Sequence, residues 1–256
     1  MNAPVPSVAV IIPCRNMATF LREALESVFA QEVHPAEVVV VDDNSTDDPQ
    51  SVVRAFGDRV RLIAGPGRGS AVARNIGILE TRSELIAFLD ADDLWRPGFL
   101  SASIRALRDG AVGLSFSNWQ REDAGVVSEP VFGSYYSCVA EGSVFSALLR
   151  ENWICTPGVV VKRQVLARSG LFDPELIGGQ DFELWLRLAR VKKFACVREP
   201  MVVIRQHGGN ITSSHQYAYH HVKVWRAVLA RHVDVSAEDR AQIQRRARTA
   251  RHTLTW

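Results

Sequence analysis

The chain has 256 residues, 47% of them hydrophobic and 23% charged, which is enough apolar material for one large core. Thirty Lys and Arg against 28 Asp and Glu leave a formal charge of +2, a balance that argues against nucleic acid as a partner. The 4 cysteines form no CxxC pair, which speaks against a disulfide framework or a zinc site and fits reduced thiols in a cytoplasmic protein.

The N-terminal MNAPVPSVAVIIPCRN has no basic region before its short apolar run, and no later segment reaches spanning length. Neither a signal peptide nor a membrane helix is expected. Residues 8–12 read as a buried strand, and Leu21, Ala24, Leu25, Val28 and Phe29 repeat as one helix face. Four consecutive valines at 38–41 suit a central parallel strand, apolar on both faces. A third strand is expected over 59–63. A helix follows a glycine-rich turn, its face marked by Val72, Ile76 and Leu79, and a fourth strand covers 85–89. Pro97 is placed to open the next helix, with Leu100, Ile104 and Leu107 inward. This alternation predicts an α/β fold with a mostly parallel sheet flanked by helices.

The second half is less regular. Strands are expected over 112–117 and 159–161, with a loop-rich stretch at 121–142 that holds Tyr135 and Tyr136. Phe182, Trp185, Leu186 and Ala189 fit a helix that begins near Asp181, and 201–205 suits an edge strand. Two helices are expected after His215, the second opened by Ser236 with Asp239 three residues on. From Arg231 to Trp256 the chain carries 6 arginines and 2 histidines against 3 acids. That basic end reads either as a solvated helix face or as a surface for an anionic membrane.

Polar clusters follow the first, second and fourth strands, where open α/β sheets bind ligands. In LIAFLDADDLW, Asp90 and Asp92 point the same way on an extended segment, and Asp93 adds a third charge. Two adjacent carboxylates suit a hard divalent ion; one acid would have sufficed for a helix cap. A calcium EF-hand is excluded, because Trp95 and Ser101 occupy the positions that need Gly and Glu. In VVVVDDNSTDD, Asp42 and Asp43 suit either a nucleobase or ribose or a capping turn. GPGRGSAVARN lacks GK[ST], and Ser70 breaks a GxGxxG, which disfavours a P-loop or dinucleotide fold. Arg68 and Arg74 beside that turn suit phosphates.

PCRN, VDDNSTD, GxxxARNxG, FLDADD, GGQDFELWLR and RQHGGNITS occur in this order over about residues 6–215. Together they resemble the family 2 inverting glycosyltransferases of GT-A (Rossmann-like) fold. The resemblance implies a nucleotide-sugar half over 1–110, an acceptor half over 111–215 and a basic helical extension over 216–256. It implies nucleoside and donor contacts from Pro13, Arg15, Asn16, Asp42, Asp43, Arg74, Asn75 and Asp90. Asp92, with Asp93 and His207, falls on the metal position for Mn²⁺ or Mg²⁺, and Asp181 falls on the catalytic base.

Two departures stand out: Gln180 replaces the usual Glu before the base, and Cys14-Arg15 replaces a small residue and Tyr. The implied donor is a nucleoside diphosphate sugar, a UDP-sugar foremost, and the implied acceptor is a glycan or lipid-linked hydroxyl. The setting is cytoplasmic, with contact at the inner membrane face through the basic end. Residue by residue, Asp181 reads as base or helix cap, and His207 as metal ligand or loop hydrogen-bonder. Trp153, Cys155 and Thr156 precede a strand where acceptor contacts are expected, although Trp153 also suits core packing. A sugar nucleotidyltransferase and a non-catalytic nucleotide-sugar-binding protein are the alternatives.

Overall fold

The computed structural model describes residues 5–130, 144–208 and 217–252. Tyr135, Tyr136, Cys138, His215 and the GNITS part of the RQHGGNITS motif lie outside them. Among the described residues one sheet runs through the molecule in the order β3-β2-β1-β4-β8-β6-β9-β5, with β7 added beside β6. The parallel part comprises β1 (Val8–Cys14), β2 (Glu37–Asp42), β3 (Arg61–Ala64) and β4 (Leu85–Phe88). The helices between these strands are α1 (Ala18–Phe29), α2 (Pro49–Arg54) and α3 (Ser70–Leu79). The chain leaves β1 toward β2 and β3, then returns to place β4 on the other side of β1. That reversal opens a crevice at the strand C-termini.

After β4 come the two-residue β5 (Leu94–Trp95), α4 (Phe99–Ala106), β6 (Val112–Asp123) and β7 (Val126–Val127). The second half continues with α5 (Val144–Arg150), β8 (Val159–Lys162), α6 (Arg163–Ser169), α7 (Gln180–Ala189) and β9 (Lys193–Gln206). The helices α8 (Tyr217–Arg231) and α9 (Ala237–His252) follow. β8 runs antiparallel to both β4 and β6, whereas β6 and β9 run parallel.

Strand alternation divides two cores across the sheet. Ala9, Ile11, Ile86 and Phe88 face one side with Trp185 and Trp225; Val8, Val10, Ile12, Leu85 and Ala87 face the other with Leu21 and Phe99. On the first side α3 lies against β1 at Gly77, where an added Cβ would stand 2.4 Å from Ile11 Cγ2. This close approach corrects the expected helix face. Leu79 is 72% exposed, and the buried face is Ala71, Ala73, Arg74, Gly77 and Ile78.

Three further corrections concern strands. β3 begins at Arg61, because residues 57–59 form a 3-10 turn. β6 extends to Asp123, past irregular pairing at Ser117 and Asn118, into a stretch expected to be loop. β9 is an interior strand rather than an edge at 201–205; its first half carries Lys193, Arg198, Glu199 and Pro200, which mask a strand pattern. The edge beyond β9 is β5, too short to be seen from periodicity. Ser236 and Asp239 do open α9, with Ser236 Oγ accepting from the Asp239 N–H at 3.0 Å. Ile243, Ala247 and Ala250 anchor α9 in the core, while Arg240, Arg245 and Arg248 remain on its exposed face. Among the described residues no helix is long and apolar enough to cross a membrane.

Candidate active site

A cleft of about 920 Å³ opens at the C-terminal ends of β1, β2 and β4, and the turns that build it brace one another. Asn16, at φ 56°, accepts from the Thr46 N–H at 2.7 Å, and Asp47 accepts from the Ala18 N–H at the start of α1. Asp48 caps α2 through the Ser51 N–H. Asp42 accepts from Ser45 N–H within its own turn. Asp43 does something neither sequence reading contained. Its two oxygens accept the backbone N–H groups of Gly67, Arg68 and Gly69 at 2.6–3.1 Å, folding the glycine-rich turn against β2.

Pro13, Arg15, Asp43 and Arg74 line one end of the cleft, joined by Asp90, Asp92 and Asp93 from the turn after β4. Asp42, Asn16 and Asn75 do not line it. Asn75 clamps the Phe172 backbone instead, donating to its carbonyl at 2.8 Å and accepting from its N–H at 3.0 Å. Arg74 is 4% exposed and donates to Asp90 Oδ1 at 2.5 Å, while its Nε and Nη1 are buried without partners. Those two orphaned donors leave the guanidinium only partly satisfied beside the acidic turn.

The three carboxylates have separate tasks. Asp90 pairs with Arg74 and Asp92 with His207, whose Nε2 is 3.0 Å from Asp92 Oδ2. Asp93 is buried and accepts from the Arg205 N–H at 3.1 Å. Burial first, and then the Asp90 charge, pushes the Asp92 carboxyl up; the hydrogen bond from His207 opposes this. Asp93 is pushed well above the usual carboxylate range by burial and then by the charges of Asp92 and Asp90. Three carboxylates crowded into one turn thus raise the pKa of Asp92 and Asp93.

Arg205 is the residue that sequence reasoning passed over, apart from its place in a motif. Its guanidinium donates to the Asp92 carbonyl, the Glu23 carboxylate and the Phe20 carbonyl, and it lies over the Phe20 ring at 4.9 Å. Phe20 in turn stacks on His207 with ring centroids 4.6 Å apart, so one cation fixes both the acidic turn and its histidine. The signal was the Arg itself, two residues before His207 at a strand end.

The other wall comes from the second half of the sheet. Asp181 lies in the first turn of α7, and the N-cap position belongs to Gly179, so Asp181 is not the cap. Gly179 has φ +69°, and a Cβ there would stand 2.8 Å from Val224, so α8 packs directly on this turn. Asp181 Oδ1 accepts from Phe182 N–H at 2.8 Å, and Oδ2 accepts from Thr156 Oγ1 at 3.2 Å. Burial raises its pKa, against the opposing pull of the Phe182 N–H, Arg74 and Thr156. Gln180 donates to Ser70 Oγ at 2.9 Å and ties α7 to the start of α3, while its Oε1 is buried without a partner. Trp153 is a core residue that also lines the cleft, and Ile177 and Arg246 line it nearby. Arg246 shows that α9, read from sequence as a basic extension, contributes to the cleft wall.

The profile of Glycosyl transferase family 2 matches residues 9–134. The succinoglycan biosynthesis protein ExoU of Rhizobium meliloti is 30% identical over 232 residues, covering 84% of this chain and 67% of that protein. An uncharacterized glycosyltransferase of Rickettsia felis is 29% identical over 208 residues, 80% of this chain, but the chain spans only 34% of that relative. Among solved structures, residues 1–349 of S. aureus TarS in complex with UDP align with a TM-score of 0.72 at 16% identity, covering 94% of this chain and 69% of that one. The mannosyltransferase PcManGT from Pyrobaculum calidifontis, in complex with GDP-Man and Mn²⁺, aligns at 0.69 with 21% identity, covering 97% and 74%. At those identities the likeness concerns the fold, which is GT-A. With its ordered motifs, its GT-A sheet and the identity to ExoU, the chain belongs to glycosyltransferase family 2.

Proposed function

We propose that this chain transfers one sugar from a nucleoside diphosphate sugar to an acceptor hydroxyl, with inversion and without a covalent intermediate. The observation that carries the reading is a single cleft in which the acidic turn of β4 meets Asp181 of α7. Residues 1–110 supply the donor side, 111–215 the acceptor side, and 216–256 a basic helical extension. Asp181 takes the proton of the attacking hydroxyl as general base. Thr156 and the Phe182 N–H hold its carboxylate in place, and partial burial makes it more basic. Arg74 directs its two unpartnered nitrogens to the departing phosphates, with Asp90 holding the guanidinium. Pro13, Arg15 and Asp43 border the nucleoside.

The residues present fit a divalent ion. Asp92 and His207 offer an oxygen and a nitrogen side by side, in a turn that also carries Asp90 and Asp93. No group of three candidate ligands is preassembled among the described residues, so phosphate oxygens and water would fill the remaining positions. Mn²⁺ or Mg²⁺ bound there supplies Lewis-acid stabilisation of the leaving diphosphate. Asp93 supports this turn from behind through Arg205. The solved relatives with UDP, UDP-GlcNAc and GDP-Man favour a nucleotide-sugar donor, and we place a UDP-sugar first. ExoU's role in succinoglycan biosynthesis favours a glycan or lipid-linked acceptor. The exposed arginines of α9 would rest the protein on the anionic cytoplasmic face of a membrane.

The test is a screen of nucleotide sugars by calorimetry with and without Mn²⁺. Asp92→Asn should lose metal-dependent nucleotide binding, whereas Asp181→Asn should keep binding and lose transfer. Binding without turnover of any nucleotide sugar by the wild type would instead favour a non-catalytic protein.

A further inference from the structure

A second cavity, of about 630 Å³, lies at the other end of α7 from Asp181. The last turns of α6, α7 and α8 converge on it and bring in Arg168, Arg187, Arg190 and Arg231, with Lys192 from the following loop. Cations at helix C-termini are ordinary, since they complement the dipole. Two of these arginines are also accounted for by local structure. Arg187 binds Glu183 and the Ser169 and Leu171 carbonyls, and Arg231 binds Glu183 and Asp173.

The remainder is not accounted for in that way. Among the described residues Arg168, Arg190 and Lys192 have no carboxylate partner. Arg190 reaches only the Asp234 carbonyl at 2.6 Å, and Lys192 only the Gly110 carbonyl at 3.2 Å. His232, 4% exposed and packed on Phe145, lines the same cavity with both ring nitrogens buried and unpartnered. The Ser169 hydroxyl is also buried without a partner. Burial, and then the neighbouring Arg190, lowers the His232 pKa to about 4, so the ring is neutral, with one N–H donor and one bare nitrogen acceptor. The volume falls within the range of small-molecule sites.

We propose that this cavity binds a phosphorylated small molecule of sugar-phosphate size, its phosphate held by Arg168, Arg190, Lys192 and the His232 N–H. The free nitrogen of His232 and the Ser169 hydroxyl then meet the ligand's hydroxyl groups. A bare anion would leave that acceptor nitrogen unpaired, which is why a hydroxylated ligand fits better than inorganic phosphate. The site is separate from the transfer cleft and does not depend on the reaction proposed there.

The test uses the whole chain, glucose 1-phosphate and inorganic phosphate as probes, calorimetry for affinity and histidine ¹⁵N spectra for location. Glucose 1-phosphate should bind and shift the His232 ring signals. Arg168→Gln, at an exposed side chain that carries no fold contact, should weaken binding roughly tenfold or more. Asp92→Asn, which lies in the other cleft, should leave it unchanged. No binding at millimolar probe, unmoved His232 signals, or undiminished binding by Arg168→Gln would each overturn the site. Equal affinity for inorganic phosphate would overturn the sugar-phosphate assignment.

Discussion

Replacing Asp181 by Asn separates the chemistry of the base from its structural role. The Asp181 carboxylate accepts one backbone N–H at 2.8 Å and one hydroxyl at 3.2 Å. An Asn carbonyl can keep the Phe182 N–H, and the Thr156 hydroxyl can rotate to accept from the new amide, so both local bonds survive. Stability should change by no more than about 1 kcal/mol. The sign at neutral pH is in favour of the variant. A carboxyl whose pKa is raised by folding stabilises the fold when protonated, and that contribution is lost as pH rises through the folded-state pKa. The neutral amide avoids that loss, so Tm at neutral pH should hold or rise. Transfer, by contrast, loses its proton acceptor, which is worth about 10²–10⁴-fold, or roughly 3–5 kcal/mol of activation free energy. The assay is initial-rate transfer from a turned-over nucleotide sugar, paired with calorimetric nucleotide affinity and a pH–rate profile. The wild-type acid limb should lie above the usual carboxylate range, because the base must be ionised to act. Transfer by Asp181→Asn within tenfold of wild type at unchanged nucleotide affinity would refute the assignment.

Arg205→Met should lower stability by about 3 kcal/mol, as its bonds to the Asp92 and Phe20 carbonyls and the Glu23 carboxylate are lost together; it should also weaken Mn²⁺-dependent nucleotide binding. Urea melts and calorimetry read the two effects, and unchanged metal dependence would remove Arg205 from the support of the acidic turn. Gln180→Glu places a second carboxyl beside the base. It should move the acid limb of the pH–rate profile further upward, and an unmoved limb would count against Asp181 as the titrating group. Gly77→Ala should cost about 1–3 kcal/mol by overpacking against Ile11, read as a shift in urea midpoint. Arg246→Ala should raise the acceptor KM while leaving nucleotide affinity unchanged, since it lines the cleft from α9 rather than from the donor strands.

The first half of the chain is legible in the sequence because its information is local. A four-valine strand, a buried FLD strand end and the turn residues after each lie within a few positions of one another, so each is visible in a short window. The second half hides its information in pairing. β9 reads as polar through Arg198 and Glu199, and it becomes a strand only because β6 lies alongside over its whole length. Helix α3 shows the same limit from another direction. Its apolar residues Val72, Ile76 and Leu79 mark a plausible face, yet small residues at Ala73 and Gly77 let the backbone approach β1, leaving Ile76 partly buried and Leu79 exposed. Asp43 is a third case. Its type and position suit a ligand contact, but the three N–H groups it accepts lie 24 to 26 residues away, at a distance no short motif reports.

These hydrogen bonds also sort the acidic residues in and around the cleft by what holds them. Asp42, Asp43, Asp47, Asp48 and Asp93 accept backbone N–H groups, so their charge is committed to holding turns in place. Asp90 and Asp92 instead pair with the side chains Arg74 and His207. A crowd of carboxylates at one sheet edge would repel itself if all were alike. Asp43 and Asp93 line the cleft beside Asp90 and Asp92, but only the latter two are paired with side chains. Substituting Asp43 or Asp93 should therefore lower stability before it touches metal affinity, whereas Asp92→Asn should do the reverse, and thermal melts compared with Mn²⁺ titrations separate the two groups. Equal Tm losses across all three would show that the acidic rim is one structural unit.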